Sequence, residues 1–213
     1  MKAAGYAASG ATSARGSSAT RRSSGADLGL LLVVAGPSGV GKGTIVGELI
    51  ERDPRLWLSV SVTTRPSRPG ERDGIDYRFV DRDTFLALRD AGGLLEWFEV
   101  YGDLYGTPRT PLEEHLAQGD DAVLEIDVQG ALAVREAFPD AVLVFVRPPS
   151  RDEQRRRLLA RDVDEPAEIA RRLAAAEAEE AQMDQFDAVV VNDDVGTAVA
   201  EVAGILAARR KAR

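Results

Sequence analysis

The stretch "LLLVVAGPSGVGKGT", residues 30–44, joins a short apolar run to a glycine-rich loop. Residues 30–35 have the continuous apolar character of a strand buried on both faces of a parallel sheet. The sequence that follows, "GTIVGELIER" (43–52), has helical apolar spacing. A strand, a glycine-rich loop and a helix in this order predict a phosphate-binding loop, because backbone N–H groups and the helix N-terminus converge on phosphate oxygens.

The loop matches the nucleotide-binding pattern G-x-x-x-x-G-K, with Lys42 placed to reach the β and γ phosphates. In the usual pattern a Ser or Thr follows the lysine and its hydroxyl binds Mg²⁺. Here Gly43 follows, and the threonine comes one place later. We expect the loop to bind a nucleoside triphosphate through Gly36, Pro37, Ser38, Gly39, Val40, Gly41, Lys42, Gly43 and Thr44.

Composition narrows the function further. A chain of 213 residues with net charge −8 suits one α/β domain and argues against a general nucleic-acid binder, which needs a basic face. The apolar runs are too short to cross a bilayer. The absence of cysteine excludes disulfides and thiol nucleophiles, and we expect the single histidine, His115 in "PLEEHLAQG", to be a surface residue.

Further apolar runs at 122–128, 141–146 and 188–192 alternate with helical sequence, which predicts a parallel sheet covered on both faces. Residues 1–27 are rich in Ala, Ser and Gly, which predicts a disordered tail. We therefore expect a domain over 28–213, with its core at 28–58 and 112–213, a β-rich insertion at 59–111 and a helical lid at about 150–172.

Three longer stretches carry the motifs that narrow the function. Two lie in the insertion, "SVSVTTRPSRPGERDGIDY" (59–77) and "LLEWFEVYGDLYGT" (94–107), and one lies in the core, "LEIDVQG" (124–130). Together with "VRPPS" (146–150) and "VVVND" (189–193) they resemble the guanylate kinase family from Leu30 to the C-terminal helix. The resemblance implies a P-loop α/β fold and transfer of the ATP γ-phosphoryl group to GMP or dGMP, with Mg²⁺. It implies contacts with the GMP phosphate from Arg65, Arg68, Tyr77 and Tyr105, and guanine recognition by Ser61, Glu96, Thr107 and Asp127.

The residue types suit these roles. Arginine pairs bidentately with phosphate, and Arg65 and Arg68 lie three apart in a proline-stiffened loop, although a solvated basic loop has the same spacing. Glu71 can touch GMP or orient one of these arginines. Glu96 is either a solvent-facing strand residue or a buried carboxylate that the N1–H and 2-amino donors of guanine satisfy.

The resemblance also assigns residues outside the insertion. It implies that Arg157, Arg161 and Arg172 neutralise the migrating phosphoryl group as lid arginines and that Asn192 lies at the adenine. We expect Thr44 and Glu125 to stand behind the Mg²⁺, through water. The residues 162–163, "DV", replace the Gly-Thr that the family has more often in the lid.

The sequence thus predicts a cytoplasmic kinase, monomeric or a small homo-oligomer, that binds ATP and GMP and neither nucleic acid nor membrane. Two alternatives share some features. A kinase acting on a phosphorylated sugar needs no guanine-reading residues. A binding module that recognises phosphopeptides has no need of the intact lysine and glycines of the loop.

Overall fold

The computed structural model describes residues 28–100, 102–160 and 166–213. The predicted tail (1–27), the lid arginine Arg161 and the departure at 162–163 lie outside the described residues. No helix in the described ranges is long and apolar enough to span a bilayer.

The core is a parallel sheet of five strands in the spatial order β2-β7-β1-β8-β9. Four of them were predicted from their apolar runs, and the edge strand β2 was not, because three residues are too few to show a pattern. The strands are β1 (Leu31–Ala35), β2 (Leu56–Leu58), β7 (Asp121–Glu125), β8 (Val142–Arg147) and β9 (Ala188–Val191).

Seven helices occur in the described ranges. They are α1 (Lys42–Arg52), α2 (Arg82–Asp90), α3 (Arg109–Gln118), α4 (Val128–Ala137), α5 (Arg151–Leu159), α6 (Pro166–Glu180) and α7 (Val195–Lys211). A short 3₁₀ turn, Met183–Gln185, follows α6. Ser150 caps α5, with its hydroxyl accepting a hydrogen bond from the Glu153 N–H at 3.1 Å.

Strand β1 is fully buried and divides the core into two halves. Leu32 and Val34 pack with α1 and α7, whereas Leu31 and Val33 pack with α3 and α4, because successive strand side chains point to opposite faces. The continuous apolar run therefore reflects a strand with a helical layer on each side. This burial fixes the position of the loop that follows Ala35.

The insertion forms its own mixed sheet of four strands, in the order β4-β3-β6-β5. Its strands are β3 (Val62–Thr63), β4 (Arg78–Phe79), β5 (Leu94–Val100) and β6 (Asp103–Pro108). The insertion also contains α2, which the sequence pattern did not predict. Asp81 caps the start of this helix, and its carboxylate accepts a hydrogen bond from the Thr84 N–H at 2.7 Å.

The segment "SVSVTTR" (59–65), whose alternating pattern is typical of one strand, is divided between the two sheets. The Ser59 N–H donates to the Val123 carbonyl at 3.1 Å and so belongs to the edge of the core sheet. The strand β3 begins three residues later and pairs with β6. The residues between them carry the chain from the core into the insertion.

Phe85 tests whether the insertion depends on its own small core. Its side chain has no exposed surface and packs with Val62, Leu94 and Leu104. We expect Phe85→Ala to lower the free energy of unfolding by about 3–5 kcal/mol in urea denaturation, because a large cavity is left. Ile75→Ala, at an insertion residue that is 51% exposed, is the control. Equal stability of the two variants would show that the cluster does not hold the insertion together.

Candidate active site

One cavity lies where the carboxyl ends of β1 and β7 face the insertion. In open parallel sheets ligands bind at this end, where neighbouring connections leave in opposite directions. Fifteen of the predicted residues line the cavity: Gly36, Ser38, Gly39, Gly41, Lys42, Gly43, Ser61, Arg65, Arg68, Tyr77, Glu96, Tyr105, Glu125, Asp127 and Arg172. Among the predicted residues that the structure describes, those that do not line it are Pro37, Val40, Thr44, Glu71, Thr107, Arg157 and Asn192.

The glycine-rich loop is shaped to receive an anion. Lys42 Nζ donates to the carbonyl of Gly36 at 2.6 Å and to that of Pro37 at 3.1 Å, so the ammonium group lies across the loop. Gly41, which precedes α1, has a φ of 91° and no side chain that caps the helix. The first-turn N–H groups of α1 therefore point to the cavity without a side-chain acceptor, as in other phosphate sites.

Gly43, the departure from the usual nucleotide-binding pattern, faces Glu125. A Cβ atom at Gly43 would lie 3.3 Å from Glu125 Oε2 and 3.4 Å from Oε1. Any side chain at position 43 would therefore press on the carboxylate at the end of β7. The glycine makes room for this carboxylate at the cavity, while the neighbouring Thr44 is exposed.

Asn192 and Arg157 contact the back of the loop, and their expected roles toward ATP stay predictions. The Asn192 side chain is buried, and its Nδ2 donates to the Val40 carbonyl at 2.7 Å. Arg157 donates to the Asn192 carbonyl at 3.0 Å and is paired with Glu153 at 2.7 Å. Both side chains therefore brace the loop rather than enter the cavity.

Arg65 is held by Glu71. Its two terminal nitrogens donate to the two Glu71 oxygens at 2.9 and 2.8 Å, and Glu71 also accepts from the Arg68 N–H at 2.7 Å. Burial lowers the pKa of Arg65, but the hydrogen bonds and charges of Glu71 and Tyr105 together outweigh it, so this pKa is raised. Of the two roles left open for Glu71, the contacts match orientation of the arginine. Direct binding of GMP by Glu71 stays a prediction.

Tyr77 and Tyr105 lie beside this arginine. The Arg65 guanidinium is 5.3 Å from the centroid of the Tyr77 ring, and the two tyrosine rings meet edge to face at 6.1 Å. Burial, followed by the charge of Glu125, raises the pKa of Tyr77 to about 12. The phenol therefore keeps its proton at neutral pH and can donate it in a hydrogen bond to an anion.

Glu96 is a buried acid, so the alternative of a solvent-facing strand residue is excluded. It is 8% exposed, and the Thr107 hydroxyl donates to its Oε1 at 2.5 Å. Burial, and to a lesser degree the charge of Asp127, raises the pKa of Glu96 to about 7. Thr107 is fully buried, so it acts on Glu96 rather than lining the cavity.

Asp127 approaches Glu96 at the start of α4. Its Oδ1 accepts from the Gly130 N–H at 2.6 Å and caps the helix. A Cβ atom at Gly130 would lie 3.1 Å from Glu96 Oε2 and 3.2 Å from Asp127 Oδ1. The missing side chain of Gly130 therefore leaves space for two carboxylates that face the same cavity. Two like charges this close favour a ligand that presents several donors.

Two residues that line the cavity or contact its loop were not predicted from the sequence. Glu179 on α6 lines the cavity; burial raises its pKa and the charge of Lys42 lowers it, with burial the larger effect. Gln154 is fully buried and donates to the Ser38 carbonyl at 2.8 Å. The spacing of Arg172 and Glu179, seven residues or two helical turns, is a sequence signal for Glu179, and Gln154 has no such signal. His115 lies at the surface, as predicted, and stacks on Trp57 with ring centroids 4.1 Å apart.

Comparisons with known proteins agree with this arrangement. A family model described as guanylate kinase matches residues 29–209. A guanylate kinase of Thermus thermophilus is 54% identical over 183 residues, covering 86% of this chain and 83% of the relative. One from Synechococcus sp. (strain CC9902) is 53% identical, covering 82% and 93%. The crystal structure of guanylate kinase from Anaplasma phagocytophilum superimposes with a TM-score of 0.73 at 38% identity, covering 85% and 86%.

The burial of Glu96 predicts a pH-dependent cost to stability. Because its pKa in the fold is about 7 against an ordinary 4.5, stability from the neutral carboxyl is present below pH 4.5 and lost as the pH rises through 7. We expect Glu96→Gln to be more stable than the wild type at pH 8 by about 2–3 kcal/mol beyond any difference at pH 5. Urea denaturation at both pH values measures this.

Glu99→Gln is the matched control, because Glu99 lies on the same strand and its side chain is 52% exposed. Its stability difference from the wild type should stay constant between the two pH values. A Glu96→Gln variant that behaved in the same way would contradict the raised pKa.

Proposed function

The chain belongs to the guanylate kinase family and phosphorylates GMP with ATP, and on this premise we propose which of its residues bind each substrate. The observation that carries the proposal is the cavity lined by the glycine-rich loop on one side and by Arg65 and Glu96 on the other. Phosphoryl transfer depends mainly on positioning and charge stabilisation. A cavity with a phosphate loop opposite a second anion site supplies both.

The ATP half consists of the loop, Gly36–Thr44, and Lys42. Its N–H groups bind phosphate oxygens, and Lys42 stabilises the charge on the transferred group. Arg172 brings a further positive charge: its Nη1 donates to Ser38 Oγ at 3.0 Å at the edge of the cavity. We assign the phosphoryl-facing role on α6 to Arg172 and a supporting role to Arg157, and Arg161 remains a proposed third arginine of the lid.

Mg²⁺ is the proposed cofactor. Hard oxygen ligands suit Mg²⁺, and Glu125 offers a carboxylate beside Gly43 and Lys42, with the Thr44 hydroxyl nearby in sequence. In the described ranges no group of three or more acidic or histidine side chains is arranged to hold a metal ion. We therefore propose that nucleotide oxygens and waters supply most of its ligands, with Glu125 behind the waters. The ion neutralises phosphate charge when bound.

The GMP phosphate is assigned to Arg65, Arg68, Tyr77 and Tyr105. Glu71 holds Arg65 in a fixed orientation, so little side-chain freedom is lost when the phosphate binds. Tyr77 remains protonated and can donate to a phosphate oxygen. The arrangement brings the acceptor oxygen to the side of the cavity opposite Lys42.

Guanine recognition is assigned to Glu96, Asp127 and Ser61, with Thr107 holding Glu96. Guanine turns two adjacent donors, N1–H and the 2-amino group, towards a carboxylate, which compensates the burial of the charge. Adenine presents an acceptor at N1 and has no 2-amino group. The same site therefore disfavours AMP, because the base then offers Glu96 no donor.

The proposed step is an in-line attack by a GMP phosphate oxygen on the γ-phosphorus of ATP, with ADP leaving and no covalent intermediate with the protein. The product is GDP, and the same residues accept dGMP. Residues at about 150–172 act as a lid that excludes water and so suppresses hydrolysis of ATP. The core, 28–58 and 112–213, carries the ATP half, and the insertion, 59–111, carries the GMP half together with Asp127 of the core.

The two alternatives fit the geometry less well. A phosphorylated sugar gives no reason to bury Glu96 beside Asp127, and a phosphopeptide gives no reason to keep Lys42 across an intact loop. We further propose a cytoplasmic enzyme, monomeric or a small homo-oligomer, that binds neither nucleic acid nor membrane, in keeping with its net charge of −8. Titrating the protein with GMP and with AMP by calorimetry separates these functions.

Glu96→Gln tests the guanine assignment. A neutral amide accepts only one of the two guanine hydrogen bonds and turns its NH₂ group towards a donor. We expect the GMP KM to rise at least roughly tenfold and the preference for GMP over AMP to narrow, since a lost polar partner at a reading site costs this much or more. Steady-state kinetics with both nucleotides measure the two effects. An unchanged preference ratio would make Glu96 a structural residue.

A further inference from the structure

Gln154 is a fully buried polar side chain on α5, and both ends of its amide are engaged. Its Nε2 donates to the Ser38 carbonyl at 2.8 Å, and its Oε1 accepts from Arg151 Nη1 at 2.9 Å. Buried amides need such partners, because a polar group that leaves water without gaining a hydrogen bond destabilises the folded protein. The side chain is thus a fixed link between α5 and the glycine-rich loop.

The link sets the direction of one peptide group. A trans peptide points its C=O and N–H to opposite sides, so holding the Ser38 carbonyl from α5 turns the Gly39 N–H the other way. Ser38 and Gly39, the two residues that this peptide group joins, both line the cavity. The carbonyl of the peptide group that follows Val40 is held in the same way, because Asn192 Nδ2 donates to it at 2.7 Å. Two loop carbonyls are therefore held from behind.

Packing supports the same contact. A Cβ atom at Gly39 would lie 2.8 Å from Leu158 Cγ, so α5 presses directly on the loop at this residue. Gly39 also has a φ of 82°, in the left-handed region. The loop and α5 fit together as a unit in which Gln154 supplies the directional contact and Leu158 the close apolar contact.

Gln154 is also connected to α6. Arg151 Nη2 donates to Glu180 Oε2 at 2.9 Å, and Arg172 on the same helix donates to Ser38 Oγ at 3.0 Å. Ser38, Gln154, Arg151, Glu180 and Arg172 thus form a closed path through the loop, α5 and α6, which we call the Ser38 circuit. A displacement of α6 changes the contacts at both the hydroxyl and the carbonyl of Ser38.

We propose that Gln154 is a positioning residue for the ATP half of the site: it aims the Gly39 N–H at the nucleotide phosphates, and Arg151 and Glu180 make that aim depend on α6. This inference rests on the proposed assignment of the loop to ATP. Both hydrogen-bond partners of the Gln154 amide belong to the ATP half, so its removal affects ATP and leaves GMP binding unchanged.

Gln154→Met is the first variant, because methionine keeps the length and volume of glutamine but donates no hydrogen bond. Calorimetric titrations with ATP plus Mg²⁺ and, separately, with GMP measure the two dissociation constants. We expect the Kd for ATP to rise roughly tenfold, the effect of one hydrogen bond, with the Kd for GMP within about twofold of the wild type. Equal weakening of both nucleotides, or no change in ATP affinity, would overturn the inference.

Glu180→Gln is the second variant; it weakens the far end of the Ser38 circuit without touching Gln154 or the loop. We expect a smaller rise in the Kd for ATP, and no further rise when the change is added to Gln154→Met, because residues in one network are not additive. Glu177→Gln, at an exposed residue of the same helix, is the control and should match the wild type. Additive effects would show that Glu180 does not act through Gln154.

The titrations also separate this inference from the proposed function. A wild-type protein that did not bind ATP would contradict the assignment of the loop itself. A wild type that bound ATP no better than Gln154→Met would contradict only the role of Gln154.

Discussion

The orientation of a few peptide groups in the glycine-rich loop is the constraint around which the core is built. Their N–H groups must face the cavity, so their carbonyl groups must be satisfied elsewhere. Gln154 takes the Ser38 carbonyl, Asn192 takes that of Val40 and Lys42 takes those of Gly36 and Pro37. The loop itself is fixed by β1, whose residues are buried on both faces. A buried strand and three polar side chains thus preform an anion site.

The acceptor half follows a different physical rule. In that half, carboxyl groups lie close together, and their proximity is unfavourable until a ligand binds. Glu96 is buried beside Asp127 and has a raised pKa, and Thr107 supplies one hydrogen bond. A protein selected for stability alone would gain by replacing such a carboxyl with a neutral side chain. Its retention is understandable if a ligand with two adjacent donors completes the site, as guanine does.

The sequence predicted the core and most of the cavity because both are encoded locally. The strand, loop and helix at 30–52 carry their own pattern, and buried parallel strands read as apolar runs. Sequence could not show that Glu71 turns inward to hold Arg65, or that Arg157 and Asn192 brace the loop from behind, because these depend on packing between distant segments. The helix α2 and the edge strand β2 were missed for lack of a sustained apolar pattern, and Gln154 because nothing in its neighbourhood marks it as buried.

The central claim is that ATP and GMP meet in one cavity and exchange the phosphoryl group directly. The stereochemical course at the γ-phosphorus tests it: the enzyme is given ATP made chiral at that atom with oxygen isotopes, and the configuration of the GDP product is determined. A single in-line transfer between neighbouring substrates predicts inversion. Retention would require two transfers through a group on the protein and would contradict the account.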